Sequence, residues 1–283
     1  MNTGRAFFDS SDGRHICEQW WRPTSPPPRG VLAICHGFAE HGGRYAELAQ
    51  SLGSRGYVVE ALDLRGHGRS AGARAHVRSF EEYLNDLDLF LKNVRASNAG
   101  LPIFLLGHSM GGGIAVLYVI ARNPELSGVI LSGPAIGSEL LKLSRTSQIL
   151  LRVMAPLPRL RLRKLPATAV SRDPEVVRKY EEDPLVFRGG ATVAHARAGV
   201  RALTRVARDM EQFTLPLLIL HGAGDTLVPT AGSEELYQRA QSFDKRLKIY
   251  PGLYHEVLNE PERLAVIGDI AAWLDERTRP PGM

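Results

Sequence analysis

Serine is a poor nucleophile until a base takes its proton, and the segment Gly107-His108-Ser109-Met110-Gly111 sets a serine where that activation can be organised. The apolar run IFLLG leads into it, and an apolar stretch with two further glycines, Gly112 and Gly113, leads out. Between a strand and a helix, Gly-x-Ser-x-Gly forms a nucleophile elbow. The turn exposes the hydroxyl, the glycines let neighbouring backbone approach, and the helix N-terminus faces the developing oxyanion. The pentapeptide alone is weak evidence, since an ordinary strand-to-helix turn could carry it. Its flanks give it weight.

The base must come from elsewhere in the chain, which has nine histidines. In folds built around this elbow the order is Ser, acid, His, and only His195, His221 and His255 follow Ser109. His195 lies in a stretch without strand character, and His221 ends an apolar run just ahead of an acid. His255 follows LKIY in the loop PGLYHE, the position expected of the base. Asp225, in Gly222-Ala223-Gly224-Asp225, lies one connection earlier. A carboxylate there can accept the imidazole Nδ1 proton and stabilise the imidazolium; the competing reading is a turn or helix cap. Acyl transfer also needs oxyanion donors. The backbone N–H of Met110 is one expected donor and that of Phe38, in His36-Gly37-Phe38, the other. His36 itself reads as structural.

These residues need a scaffold that brings distant loops together. Arg5 to Phe8, the turn Ser11-Asp12-Gly13 and His15 to Trp21 read as a hairpin, followed by a stiff connector from Pro23 to Pro28. Then VLAICHG, YVVEALD, IFLLG, GVILSG, LLILHG and LKIY alternate with helical stretches near 45–52, 80–96, from 110, near 232–241 and 261–276. Strands that are apolar throughout are covered on both faces, so the pattern predicts an α/β protein with a mostly parallel central sheet flanked by helices. Residues 138–211 have helical stretches and prolines but no strand run. The expected organisation is a core of 1–137 and 212–283 carrying a helical cap, or lid, at 138–211.

The formal charge of +5 is local: Lys142 to Lys164 holds seven Lys or Arg and no acid. Removing those seven from the 35 basic residues leaves 28 against 30 acidic ones, and no nucleic-acid recognition motif accompanies the charge. No nucleic-acid partner is expected. The chain start lacks a cationic and apolar leader pattern, and no stretch reaches eighteen uncharged apolar residues. The expected location is therefore the cytoplasm, with peripheral membrane contact through the basic segment left open. Cys17 and Cys35 read as buried free thiols. Metal-ligand spacing is missing, and so is the Lys-Ser/Thr ending of a phosphate loop, so no metal or cofactor is expected.

The segments HGFAEHGGRY (36–45), LDLRGHGRS (62–70), FLLGHSMGGGIA (104–115), SRDPEVVRKYEEDPLVF (171–187), HGAGDTLVP (221–229) and LKIYPGLYHEVLNE (247–260) resemble the monoacylglycerol lipases, especially bacterial members, over nearly the whole chain. The resemblance implies the α/β-hydrolase fold and a cofactor-free serine carboxylic-ester hydrolase. Its substrate would be a monoacylglycerol or other lipid ester, cleaved to fatty acid and glycerol. It maps Ser109, Asp225 and His255 onto the triad, and Phe38 with Met110 onto the oxyanion hole. It also puts Glu40, Arg44 and Tyr180 near the glycerol end, although a supporting Glu40–Arg44 ion pair fits equally well. A broad carboxylesterase or lysophospholipase would use the same triad. A dehalogenase would need Asp at position 109, a proline-type aminopeptidase remains open on fold grounds, and a scaffold protein would tend to lose part of the triad. The sequence leaves acyl length and oligomeric state open. From Leu140 to Leu165, apolar and basic residues interleave. A helix, a break at Pro156 and Pro158, and an irregular basic segment are expected there, with Leu150 and Leu151 on a face suited to a lipid surface.

Overall fold

The protein is represented by a computed structural model that describes residues 1–25, 27–142 and 145–278, without the side chains of 145–148. Position 26 of the expected connector and the Arg145 side chain of the basic segment lie outside the described residues. Strands β1 (Asn2–Asp9) and β2 (His15–Arg22) form the expected hairpin, with Phe8 opposite Ile16. The remaining strands are β3 (Gly30–Cys35), β4 (Tyr57–Leu62), β5 (Ile103–His108), β6 (Gly128–Ser132), β7 (Leu217–Gly222) and β8 (Lys245–Tyr250). Among the described residues these eight form one sheet in the order β1-β2-β4-β3-β5-β6-β7-β8. Pairing is antiparallel from β1 to β4 and parallel from there on.

Every residue of β3 to β7 is buried, which explains their unbroken apolar runs. Alternate side chains divide between two cores. Val31, Ala33 and Cys35 face helices α2 (Glu81–Ser97) and α3 (Met110–Arg122); Leu32 and Ile34 face α1 (Ala46–Gly53) and α8 (Arg263–Arg277). Trp273 of α8 packs edge-on against Phe104 at 5.7 Å and anchors the second core. A buried side chain of this kind contributes about 2 kcal/mol or more. The outer strand β8 alternates in burial instead, and its Lys and Arg side chains discourage pairing with another sheet. Both cysteines are free and buried.

Between β6 and β7 the chain leaves the sheet and forms α4 (Arg145–Val153), α5 (Pro174–Glu182) and α6 (Val193–Asp209), before α7 (Ala231–Arg239) follows β7. Local chemistry sets these helices. The Asp173 side chain accepts from the Glu175 N–H with Pro174 in the first turn, and Thr192 accepts from the His195 N–H. Main-chain hydrogen bonds from Phe187 N–H to Ala39 O (2.8 Å), Thr192 N–H to Ala75 O (3.2 Å) and Glu256 N–H to Val170 O (2.8 Å) hold the segment over the C-terminal ends of the strands. α4 ends before the two prolines, as expected. The basic stretch beyond it is irregular, apart from one bridge between Arg161 and Thr192 that its composition did not announce. Among the described residues no helix is long and apolar enough to cross a membrane.

Candidate active site

β5 delivers Ser109 into a turn with φ of 51° and ψ of −117°, a conformation that costs a non-glycine residue free energy and persists because the surroundings enforce it. The enforcement is visible. Ser109 N–H donates to Ser132 O at 3.0 Å, while Ser109 O accepts from Gly113 N–H at 3.1 Å and Ala135 N–H at 2.9 Å. A Cβ on Gly107 would stand 2.6 Å from Gly111 O, and one on Gly111 would strike the Cys35 carbonyl. Both glycines are therefore required by close approach of backbone. Met110 opens α3, so its N–H has no acceptor one turn earlier in the helix.

Asp225 and His255 meet although they come from different loops. The His255 Nδ1 lies 2.6 Å from Asp225 Oδ2, and the other carboxylate oxygen accepts from the N–H groups of Leu227 (2.8 Å) and Val228 (2.9 Å). Burial pushes the Asp225 carboxyl upward, but hydrogen bonds from His221, His255 and Val228 outweigh it and hold the group well below the ordinary carboxylate range. Since Nδ1 donates to Asp225, Nε2 is the nitrogen left to accept a proton.

His221 is a member of this site that the sequence reading passed over. Its Nε2–H lies 3.1 Å from both Asp225 Oδ2 and Val228 O, and its Nδ1 is 2.8 Å from the Ser233 hydroxyl. It clamps the acid from behind. The available signal was its position four residues before Asp225 in HGAGD. His36 has the saturated bonding of a structural residue: Nδ1 lies 2.7 Å from Gly37 O and Nε2 accepts from Leu64 N–H at 2.9 Å.

A cavity of about 340 Å³ opens at this point, bordered by Ser109, Met110, Phe38 and His255. Neither Phe38 N–H nor Met110 N–H donates to another described group. The rest of the wall is mainly apolar. Leu227 and Val228 come from the core, while Leu140, Leu162, Leu203 and Val206 come from 138–211.

Glu40 and Arg44 do not border this cavity. Glu40 accepts from Gly37 N–H (2.6 Å), Tyr45 Oη–H (2.9 Å) and Arg44 Nη1 (2.8 Å), and Arg44 grips Glu256 with two bonds of 2.6 and 2.7 Å. All are buried or nearly so. Burial opposes ionisation of Glu40 and Glu256, but Arg44 between them holds both carboxyls below their ordinary values. The supporting Glu40–Arg44 ion pair, one of the two readings of these residues, is present. Their hydrogen bonds join the Phe38 loop to the loop of His255. Tyr180 stacks on Arg44, with the guanidinium 4.8 Å from its ring centroid, and borders a second cavity that Phe38 also lines.

Comparisons with known proteins give the family and the fold. The model of the family described as Hydrolase_4, serine aminopeptidase, S33, matches residues 26–262. The monoacylglycerol lipase of Mycolicibacterium smegmatis is 42% identical over 94% of this chain and 95% of its own. The human monoglyceride lipase is 35% identical over 96% and 91%. The crystal structure of the Paleococcus ferrophilus monoacylglycerol lipase superposes with a TM-score of 0.79 at 30% identity, covering 98% of this chain and all of that one. With a sheet, an elbow and relatives of this kind, the chain belongs to the Hydrolase_4 family and has the α/β-hydrolase fold.

Proposed function

We propose that the protein is a serine carboxylic-ester hydrolase that cleaves monoacylglycerols to fatty acid and glycerol. The observation that carries this reading is a strained serine and an Asp-paired histidine bordering one apolar cavity. In the proposed cycle Ser109 Oγ attacks the ester carbonyl as His255 Nε2 takes its proton, and the N–H groups of Phe38 and Met110 receive the oxyanion. The imidazolium, steadied by Asp225, then protonates the departing glycerol oxygen. Water repeats the sequence on the acyl-enzyme and releases the fatty acid. The acyl chain occupies the apolar cavity.

An aminopeptidase would have to receive a substrate ammonium, yet among the described residues the cavity lining carries no Asp or Glu. The ester reading is favoured for that reason. We assign 138–211 as a cap on the core of 1–137 and 212–283. Its exposed Ile149, Leu150, Val153, Leu157 and Leu160, interleaved with Arg152 and Arg159, support peripheral contact with an anionic lipid surface. Leu151 does not share that face: it is half-buried and borders a cavity that Val200 of α6 also lines. The test is a panel of monoacyl-, diacyl- and triacylglycerols, lysophospholipids and short nitrophenyl esters. Monoacylglycerol should give the highest kcat/KM, and a preference for lysophospholipid or short esters would move the assignment to a lysophospholipase or a broad esterase. For the surface, Leu150→Ser with Val153→Ser should weaken binding to anionic vesicles and spare the short ester. Equal losses on both would leave a cap that only packs on the core.

A further inference from the structure

The cavity wall contains one buried polar side chain that the proposed cycle does not use. His195, in the first turn of α6, is 6% exposed and borders the cavity. Its ring packs against Phe38 at 5.4 Å and Phe80 at 5.6 Å between centroids. Nδ1 is sealed within the protein without a hydrogen-bond partner, whereas Nε2, which no described group bonds, is the ring nitrogen left to meet a ligand in the cavity. Burial and the neighbouring His76 push its pKa down to about 4, so at neutral pH the ring is uncharged, with one N–H and one lone pair. Behind it Tyr83, whose ring is 6.1 Å away, and His67 also present buried polar atoms without partners.

A polar group left unpaired among apolar neighbours costs free energy, and a ligand atom that pairs with it recovers that cost. We propose that His195 is a specificity-determining residue that recognises a hydroxyl or carbonyl oxygen on the acyl chain, making oxygenated fatty acyl glycerols the preferred substrates. The proposal deepens the ester-hydrolase reading and rests on it. His195 touches Phe38, whose N–H is assigned to the oxyanion. The recognised oxygen therefore belongs to the part of the chain near the ester rather than to its tail. A plain chain would leave the imidazole unpaired beside methylene groups.

The experiment uses medium-chain glycerol monoesters in which one hydroxyl is moved along the acyl chain, with the unsubstituted ester as reference. For one near-ester position, kcat/KM should exceed that of the reference by about tenfold. His195→Phe should abolish that ratio and His195→Gln should keep part of it. Hydrolysis of the reference with no discrimination at any position would overturn the proposal and leave His195 satisfied by buried water shared with Tyr83 and His67. A preference that survives in His195→Phe would overturn it equally. Failure to hydrolyse any glycerol ester would instead remove the underlying enzymatic reading, and this proposal with it.

Discussion

At the scale of single residues the assignment depends on a proton path that is easy to break. Ser109→Ala removes one hydroxyl and little volume, so the folded protein should remain while kcat falls by roughly four orders of magnitude or more. Ester hydrolysis by purified Ser109→Ala at the parental rate would remove Ser109 from the mechanism. The pH dependence can be argued with its sign. Asp225 is held ionised by its hydrogen bonds, so it contributes no titration in the weakly acidic range. Protonated His255 cannot accept from Ser109, and kcat/KM should therefore fall on acidification from neutral pH, with a single acid limb. A profile flat from neutral to weakly acidic pH, in protein shown to be folded and limited by chemistry, contradicts the role of His255. Chain order and local context made the three triad positions legible. His221 was not, because a histidine ending a strand looks the same in sequence whether or not it turns back onto an acid.

At the scale of elements, the elbow and the buried ion-pair network set two contrasting expectations. Ser109 pays for its φ of 51° in backbone strain, which glycine would not. Ser109→Gly should therefore be inactive but more stable than Ser109→Ala by about 1–2 kcal/mol in urea unfolding, and equal stabilities would show that the turn stores no strain. Arg44 does the opposite work. It balances two buried carboxylates, and Arg44→Ala should cost about 3–5 kcal/mol because both would be left without a cation. A loss below about 1 kcal/mol would mean that Glu40 and Glu256 find other partners. Apolar runs fixed the strands, and capping residues such as Asp173 and Thr192 mark helix starts, so these parts of the fold were open to reading. The Arg44–Glu256 pair was not, since its members lie 212 positions apart and neither sits in a periodic pattern. Leu150 and Leu151 part company for a local reason: neighbours in a helix point about 100° apart, and Leu150 is exposed where Leu151 is half-buried.

For the whole molecule, the histidines buried beneath the active-site loops link stability to pH. His36, His67, His108 and His195 are buried, and burial holds all four below the ordinary imidazole value. The sign follows from proton counting. As pH falls below 6.5 the unfolded chain binds protons that the native state refuses, so acid favours unfolding. For His195, whose pKa drops from 6.5 to about 4, the loss by pH 4 is about 3 kcal/mol. The carboxylates of Asp225, Glu40 and Glu256 add a second loss at lower pH, because their native values are depressed and their stabilisation disappears as they protonate. Urea midpoints should therefore decline steadily on acidification from neutral pH. In His195→Phe the decline above pH 4 should be shallower by up to about 1.4 kcal/mol per pH unit, one proton's worth of slope. Parallel stability curves for the parent and His195→Phe would mean that the native state protonates His195 as readily as the unfolded chain does, and that its ring is not sealed in the wall of the cavity.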